Sequence, residues 1–230
     1  MDMNVIVVRP AASAVGPDLI ARYRKLPTAA ISDSMRRTPG VIGLNIIGNS
    51  LRHGEHPSMV GTALTVRTRP GDNLAVHVAL DRGRVDDILV VDARGDVTNA
   101  ILGELMTAYA QSRGFSGIIV DGAVRDHDEI SAGSMPVYAR GLSHLGPYKS
   151  GPGEVHVPAS IGGIAVNDGD LIVGDADGIA VIPAADADEV AERAEAIVQS
   201  EIVQRAQIDA HEWDRTWIDR TAVVLEVGEE

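Results

Sequence analysis

The 230-residue chain has no cysteine, few aromatic residues and a shortage of basic side chains. Without cysteine there is no disulfide, no thiolate metal site and no cysteine nucleophile. With one Phe, two Trp and four Tyr, the core has to be built from Ala, Val, Ile and Leu. Twenty Lys and Arg against 33 Asp and Glu give a net charge of −13, which repels the phosphate backbone of nucleic acids. No basic stripe with interleaved aromatic residues counters this charge, so we expect no nucleic-acid partner.

Long apolar runs are also missing. No segment approaches the roughly 20 apolar residues of a membrane-spanning helix, and the opening MDMNVIVVRP lacks the basic and long apolar regions of a signal peptide. The sequence therefore predicts a cytoplasmic protein with no membrane partner. Its 45% hydrophobic and 23% charged residues are typical of a globular chain, and its length suffices for one large domain or two small ones.

Alternating strand and helix patterns in the first half indicate an α/β fold. Strands are predicted at residues 59–69, 87–93 and 117–124. One helix is predicted after its cap, Asp72, and a second from the end of the middle strand to Gly114, which ends it. This order favours α/β layers joined by right-handed crossovers. Before them, residues 16–37 predict two short helices separated at Pro27, with Thr28 as the N-cap of the second.

The second half predicts shorter strands and a long C-terminal helix. The strands are predicted at residues 135–141, 162–166, 170–175 and 178–183. From Ala184 a helical pattern of about 25 residues places Ala, Val and Ile on one stripe and polar residues on the other. Because this length exceeds what an isolated domain usually needs, we expect part of the helix to pack on another subunit.

Two loops carry incomplete metal motifs. The segment Asp175-Ala-Asp-Gly178 is similar to the start of a calcium loop, but the next residues break the ligand spacing, and the segment is typical of a β-turn closed by its glycine. His53 and His56 are ligand types for zinc, with no third ligand nearby. Neither motif predicts a metal site.

Charged residues follow the predicted strand 117–124 directly. Arg125 offers a planar guanidinium suited to a carboxylate, and Asp126 offers a hard oxygen for Mg²⁺ or Mn²⁺. In open α/β sheets, ligands bind at the carboxyl ends of the strands, so the sequence predicts a ligand site here. From these residues alone, a charge cluster at the start of a helix, with Asp126 as its cap, is an equal alternative.

The segment from Gly103 to Met106 points to an anion site. If a helix begins at Gly103, the N–H groups of Leu105 and Met106 lie in its first turn without intrahelical partners, and such a helix start attracts anions. Glu104 then either adds a second acidic group close by or only complements the helix dipole.

These residues, with the spacing Glu104-x20-Arg125-Asp126-x2-Glu129, resemble the RraA-like superfamily. The resemblance covers roughly residues 28–183 and includes SDSM, GTALTV, PGDNLAVHVAL and DILVVDARGD. That group contains the divalent-metal 4-hydroxy-4-methyl-2-oxoglutarate (4-carboxy-4-hydroxy-2-oxoadipate) aldolases and the regulator of ribonuclease E activity. The resemblance implies an α/β/β/α sandwich related to swivelling phosphohistidine domains over residues 1–183, a C-terminal helical arm over residues 184–230, and assembly as trimers or dimers of trimers.

The resemblance also implies roles for individual residues. Asp126 would be the direct protein ligand of Mg²⁺ or Mn²⁺, with waters completing the octahedron. Glu104, which stands where many members have Asp, and Glu129 are implied as catalytic residues together with Arg125. The implied substrate-binding residues are Arg125, the amides of Leu105 and Met106 for the pyruvyl carboxylate, Gly103, and Asn73 and His77 of the GDN-x3-H pattern. For His77, a satisfied histidine on an apolar helix face is an equal alternative.

The C-terminal arm is similar to that of the aldolase branch, in which the arm supplies a glutamate to the site of a neighbouring subunit. Members of the regulator type end soon after the last strand. By register the implied residue is Glu201, with Glu192 and Glu195 as competitors. Any of the three is otherwise a solvated surface residue.

We therefore expect a metal-dependent aldolase (class II type) that cleaves a 4-hydroxy-2-oxo acid to pyruvate and a second carbonyl compound. The metal would stabilise the pyruvate enolate, and because oxaloacetate decarboxylation gives the same enolate, we expect that side activity as well. The base would be a water held by Glu104, Glu129 or the glutamate of the arm. The only lysines, Lys25 and Lys149, follow no core strand, which favours metal over imine chemistry.

Two alternatives stay open at this point. One is a non-catalytic interaction protein similar to the ribonuclease regulator, for which a charge of −13 suits an Arg-rich partner. The complete motif and the long arm favour the enzyme. The other is a lyase of the same scaffold that acts on another 2-oxo or hydroxy acid, because no residue in the sequence defines the distal end of the substrate pocket.

Overall fold

Short strands and helices alternate along the chain, of which the computed structural model describes residues 4–36, 40–47 and 59–225. The strands are β1 (Ile6–Val8), β2 (Asn45–Ile46), β3 (Met59–Thr68), β4 (Asp87–Asp92), β5 (Ala100–Leu102), β6 (Gly117–Val124), β7 (Val137–Leu142), β8 (Gly153–Val155), β9 (Ala159–Ile161), β10 (Ile164–Val166), β11 (Leu171–Asp175) and β12 (Gly178–Ile182). The helices are α1 (Pro17–Tyr23), α2 (Thr28–Ser34), α3 (Leu74–Leu80), α4 (Glu104–Ser112), α5 (His127–Ala132), α6 (Ala187–Asp209) and α7 (Trp217–Thr221).

A sheet of ten strands forms the centre of the molecule. Its order is β1-β8-β3-β4-β6-β7-β2, with β5 beside β6 and with β11 joining β3 to β12. Strands β3, β4, β6 and β7 run parallel, and β9 pairs with β10 in a separate antiparallel sheet. The carboxyl ends of the parallel strands therefore lie at one edge of the sheet, where the charged residues after β6 are found.

Apolar side chains alternate along the parallel strands and build two buried faces. One face packs on α3, α4 and α5 and includes Leu64, Val66, Leu89, Val91, Ile118 and Val120. The other packs on β9–β12 and includes Ala63, Ile88, Val90, Ile119 and Tyr138. The far side of β11 and β12 packs on α1, α2 and α6 through Leu171, Val173, Ala180 and Ile182. The layers are therefore helix, sheet, sheet and helix, which confirms the predicted α/β/β/α sandwich.

The prediction of a helix directly after the middle strand is wrong for the residues before Gly103. The stretch before Gly103 forms a turn and then β5, which pairs with β6 at Ala100 and Ala123. Residues 100–102 form a strand and not a helix because pairing with β6 buries their apolar side chains in the core. The helix itself, α4, begins only at Glu104, and Gly114 ends it with a φ of 84°, as predicted.

The prediction of Thr28 as the N-cap of α2 is wrong, because Pro27 occupies that position. The cap comes from a distant strand end, because the Asp175 carboxylate accepts hydrogen bonds from the Thr28 amide (2.9 Å) and hydroxyl. The same carboxylate accepts a bond from the Asp177 amide (2.9 Å). The segment 175–178 is thus the turn between β11 and β12, in agreement with the predicted β-turn.

The long C-terminal helix is confirmed as α6, which has 23 residues. Its first turns bury Ala187 and Val190 in the cluster shared with α1 and α2. Further along, Ile202 and Val203 are each 57% exposed. The division of the chain at residue 183 and the packing of the arm on another subunit stay predictions. None of the helices in the described part of the chain combines the length and apolar content needed to cross a membrane.

Replacing Asp175 by Ala is expected to lower the free energy of unfolding by about 1–3 kcal/mol, because the Thr28 amide and hydroxyl lose their charged acceptor. Chemical denaturation followed by circular dichroism measures the change. Asp177→Ala, in the same turn but exposed, is the matched control and should stay within about 0.5 kcal/mol of the wild type. Equal effects of the two variants would contradict the capping role of Asp175.

Candidate active site

The charged residues after β6 line a cavity of about 340 Å³. It lies where the ends of β5 and β6 meet the start of α4, with the Arg125 amide donating to the Leu102 carbonyl (3.0 Å). The lining residues are Asn73, His77, Leu102, Gly103, Leu105, Met106, Arg125, Asp126, Gly146, Pro147 and Lys149. The structure thus brings together every predicted substrate-binding residue and the predicted metal ligand.

Asp126 has a left-handed backbone conformation directly before α5. Its φ is 58°, a conformation that costs a non-glycine residue about 1–3 kcal/mol and that the surrounding contacts must stabilise. The carboxylate makes no capping hydrogen bond to α5. Instead, Oδ2 accepts a hydrogen bond from the Glu104 amide (3.0 Å) and lies 3.7 Å from Arg125 Nε. Asp126 is therefore not a side-chain cap of its own helix, and its carboxylate is turned toward the start of α4.

Gly103 permits the close approach of β5 and α4 to the pair Arg125 and Asp126. A Cβ atom at this position would lie 2.1 Å from Asp126 Oδ2 and 2.9 Å from Arg125 Cγ. Atoms without a bond between them do not approach so closely, so any side chain here would displace the carboxylate. The glycine is a steric requirement of the site.

The start of α4 presents unpaired amides beside Arg125. The Glu104 amide is bound to Asp126, and the first helical hydrogen bond runs from the Thr107 amide to the Gly103 carbonyl (3.1 Å). Between them, the amides of Leu105 and Met106 have no hydrogen-bond partner within the described residues. Free amides at a helix start and a guanidinium together form a site for a carboxylate, as the sequence predicted.

Two buried polar atoms beside the cavity lack a partner among the residues that the structure describes: Asn73 Oδ1 and His77 Nε2. Asn73 Nδ2, in contrast, donates to the Ile101 carbonyl (2.9 Å). Burial lowers the pKa of His77, and the charge of Lys149 lowers it further, against a smaller opposite effect of Asp81. Both effects favour the neutral imidazole of His77. Unpaired buried polar atoms cost about 1–3 kcal/mol each, which makes both atoms candidates for contact with a ligand or water.

The predicted glutamates are not among the residues that line the cavity. Glu104 is half-buried at the start of α4, whereas Glu129 on α5 and Glu201 on α6 are exposed. Glu195 is engaged within its own chain, where its carboxylate binds Arg22 through two hydrogen bonds of 2.9 and 3.0 Å. These bonds lower the pKa of Glu195. The contribution of an arm glutamate to a neighbouring site stays a prediction.

Lys149 is the residue that sequence reasoning missed. It lies on the irregular segment after β7, and hydrogen bonds from the Tyr148 amide to the Gly71 carbonyl (2.8 Å) and from the Asn73 amide to the Tyr148 carbonyl (3.0 Å) bring this segment to the cavity. The composition could have pointed to this residue, because Lys149 is one of only two lysines in a chain with a net charge of −13. A second cation thus lines the cavity together with Arg125.

The donor set at the cavity fits a water-rich Mg²⁺ or Mn²⁺ site. Asp126 is the carboxylate among the lining residues, and its Oδ1 accepts no hydrogen bond from another described residue. Mg²⁺ is commonly held by one or two carboxylates, with waters and substrate oxygens completing the shell. The described ranges contain no cluster of three His, Cys, Asp or Glu that would form a closed metal site. His53 and His56 lie outside those ranges.

Proteins of similar sequence carry aldolase names. A protein of Halalkalibacterium halodurans named "Putative 4-hydroxy-4-methyl-2-oxoglutarate aldolase" is 39% identical over 178 residues, which cover 77% of this chain and 82% of the relative. A protein of Arabidopsis thaliana with the same name, numbered 3, is 36% identical over 129 residues, which cover 56% of this chain and 77% of the relative.

Proteins of similar structure include some that are described as inhibitors of RNA processing or of an RNase. Streptomyces coelicolor RraAS2, described as an unusual member of the RNase ES inhibitor RraA protein family, gives a TM-score of 0.75 at 25% identity and covers 84% of this chain and 98% of its own. The RNA-processing inhibitor RraA from Thermus thermophilis gives 0.60 at 27% identity and covers 68% of this chain and 92% of its own. A family model described as RraA-like, Aldolase/RraA, matches residues 28–181. Because this match spans more than half of the chain, the protein belongs to the RraA-like family.

Proposed function

We propose that this protein is a divalent-metal-dependent aldolase that cleaves a 4-hydroxy-2-oxo acid to pyruvate and a second carbonyl compound and also decarboxylates oxaloacetate. One observation carries the proposal: the Asp126 carboxylate, the Arg125 guanidinium and two unpaired α4 amides meet at one cavity. The names of the relatives support 4-hydroxy-4-methyl-2-oxoglutarate as a substrate.

The 2-oxo acid end of the substrate is assigned to the start of α4. Its carboxylate accepts hydrogen bonds from the amides of Leu105 and Met106 and from the Arg125 guanidinium. This arrangement orients the adjacent 2-oxo group toward Asp126, which would hold Mg²⁺ or Mn²⁺. When bound, the metal supplies a Lewis acid that withdraws electron density from the 2-oxo group. Arg125, on the same side, stabilises negative charge as it develops on the pyruvyl fragment.

The distal end of the substrate is assigned to Lys149. Arg125 and Lys149 are two cations that line one small cavity, an arrangement that suits a substrate with two carboxylates. Both 4-hydroxy-4-methyl-2-oxoglutarate and oxaloacetate are of this kind. The ammonium of Lys149 thereby adds selectivity for dicarboxylic over monocarboxylic 2-oxo acids.

The proton of the C4 hydroxyl has to leave as the C3–C4 bond breaks. We assign its removal to a water held by Glu104, because the Glu104 amide is bound to Asp126 and its side chain is half-buried at the start of α4. Glu129 and an arm glutamate of a neighbouring subunit, Glu201 by register, are the alternatives. The exposed apolar residues Ile202 and Val203 beside Glu201 support a contact of the arm with another subunit, and we propose assembly as a homotrimer or a dimer of trimers.

A second candidate is a non-catalytic regulator of a ribonuclease. The structural similarity to the RNA-processing inhibitor from Thermus thermophilis supports it, as does the net charge of −13, which suits an Arg-rich protein surface. We prefer the enzyme because a regulator that works through surface charge has no need of free helix-start amides beside Arg125.

The test of the proposed function is pyruvate release from oxaloacetate and from 4-hydroxy-4-methyl-2-oxoglutarate by the purified full chain, with Mg²⁺ or Mn²⁺ and then with EDTA. We expect turnover that EDTA abolishes and that added metal restores. A folded oligomer that releases no pyruvate from either compound would overturn the proposal and favour the regulator or a different substrate.

Asp126→Ala is expected to abolish metal-dependent turnover while leaving the melting temperature close to that of the wild type, because the lost carboxylate is 38% exposed and makes no helix cap. Asp128→Ala, two residues further on and with a side chain that is 96% exposed, is the matched control and should keep full activity. Steady-state pyruvate release and thermal unfolding of both variants make the comparison. Full activity of Asp126→Ala would remove this residue from the metal site.

Gly103→Ala is expected to lower kcat/KM roughly hundredfold, because its Cβ forces the carboxylate of Asp126 out of place and misplaced groups lose rate steeply. Gly16→Ala, where a Cβ meets nothing within 4 Å, serves as the control and should behave as the wild type. Both proteins are assayed for pyruvate release at saturating metal. If Gly103→Ala kept wild-type activity, the close packing at this junction would have no part in catalysis.

A further inference from the structure

Asp72 is a fully buried carboxylate, 0% exposed, and directly precedes Asn73, which lines the candidate active site. Its Oδ2 accepts hydrogen bonds from the amides of Ser150 (2.7 Å) and Gly151 (3.0 Å) and from Arg69 Nη2 (3.2 Å). Its Oδ1 accepts a bond from the Leu74 amide (3.0 Å). Four donors converge on one side chain.

Helix capping explains only one of these four bonds. The bond from the Leu74 amide satisfies the first free N–H of α3, although the N-cap of this helix is Asn73 and not Asp72, as the sequence had predicted. The other three lead away from the helix, to Arg69 and to the segment that follows Lys149. Burying a carboxylate costs free energy of folding unless several donors bind it. We therefore infer that these three bonds have a role other than capping the helix.

The three bonds hold the segment that carries Lys149. On one side of this lysine, Tyr148 pairs with Gly71 and Asn73 through backbone hydrogen bonds of 2.8 and 3.0 Å. On the other side, the amides of residues 150 and 151 are bound to Asp72. The guanidinium of Arg69, itself bound to Asp72, lies 5.7 Å from the centre of the Tyr148 ring. The backbone of Lys149 is thus fastened on both sides to the turn between β3 and α3.

We propose that Asp72 is a positioning residue that acts through Lys149: it fixes this lysine at the cavity and so sets the affinity for dicarboxylic substrates. The effect on substrate rests on the proposed function. The placement of residues 149–151 does not, which allows the two to be tested separately.

The kinetic test is a double-mutant cycle on oxaloacetate decarboxylation with Asp72→Asn, Lys149→Met and the double variant. Asp72→Asn is expected to raise KM about tenfold, as the loss of one charge-assisted contact does, with kcat nearly unchanged. Because Asp72 acts through Lys149, the double variant should be no worse than Lys149→Met alone. Wild-type KM in Asp72→Asn, or additive effects in the double variant, would overturn the proposal.

Asp87→Asn is the matched control. Asp87 is also a buried carboxylate, with a side chain that is 2% exposed, and it pairs with the arginine three positions earlier, as Asp72 does. It lies at the start of β4, away from the carboxyl ends of the strands. Asp87→Asn is expected to lose stability to a similar degree while keeping the wild-type KM. A raised KM in this variant would show that the effect of Asp72 is general destabilisation.

Hydrogen exchange provides a measurement that needs no activity. The amides of Ser150 and Gly151 should exchange at least about tenfold faster in Asp72→Asn than in the wild type and Asp87→Asn, because they lose a charged acceptor. If these amides exchange faster in Asp72→Asn but the wild type shows no turnover, the placement of residues 149–151 is supported and only the proposed function is contradicted. If Asp72→Asn does not fold, unprotected Ser150 and Gly151 amides in the wild type would overturn the inference, and protected ones would support it.

Discussion

The close approach of two backbone segments, at Gly103 after β5 and at Asp126 after β6, is the constraint on which the candidate site depends. The missing side chain of Gly103 leaves room for the Asp126 carboxylate, and the Glu104 amide holds that carboxylate in place. Asp126 itself has a left-handed backbone conformation directly before α5. Because these contacts are mutually dependent, the start of α4 and the Arg125-Asp126 pair form one unit.

The layers of the sandwich explain why charge collects at this edge. Strands β4 and β6 are buried on both faces, so groups that have to reach a ligand lie beyond the strand ends. In a chain with a net charge of −13, the cavity nevertheless has two cations, Arg125 and Lys149. A local positive site within an acidic protein attracts small anions while the overall field repels polyanions such as nucleic acids. Small 2-oxo acids fit both conditions.

Parts of the structure that depend on local pattern could be predicted from the sequence. Buried parallel strands need unbroken apolar runs, and Arg125 and Asp126 follow such a run directly. The three residues of β5 carry no periodicity, and they form a strand only because β6 lies beside them. Lys149 lies on an irregular segment that Asp72 fastens from 78 residues away. Contacts of this kind arise from tertiary packing and leave no local signal.

The most direct test of the account is Mn²⁺ binding measured by electron paramagnetic resonance, with and without oxalate, a planar analogue of the 2-oxo acid end of the substrate. We predict that the chain binds Mn²⁺ and that oxalate tightens this binding. In Arg125→Ala, the metal should still bind but the effect of oxalate should be lost, because the anion loses its guanidinium. A folded chain that binds no Mn²⁺, or an oxalate effect that survives in Arg125→Ala, would contradict the assignment of this cavity as a metal and 2-oxo acid site.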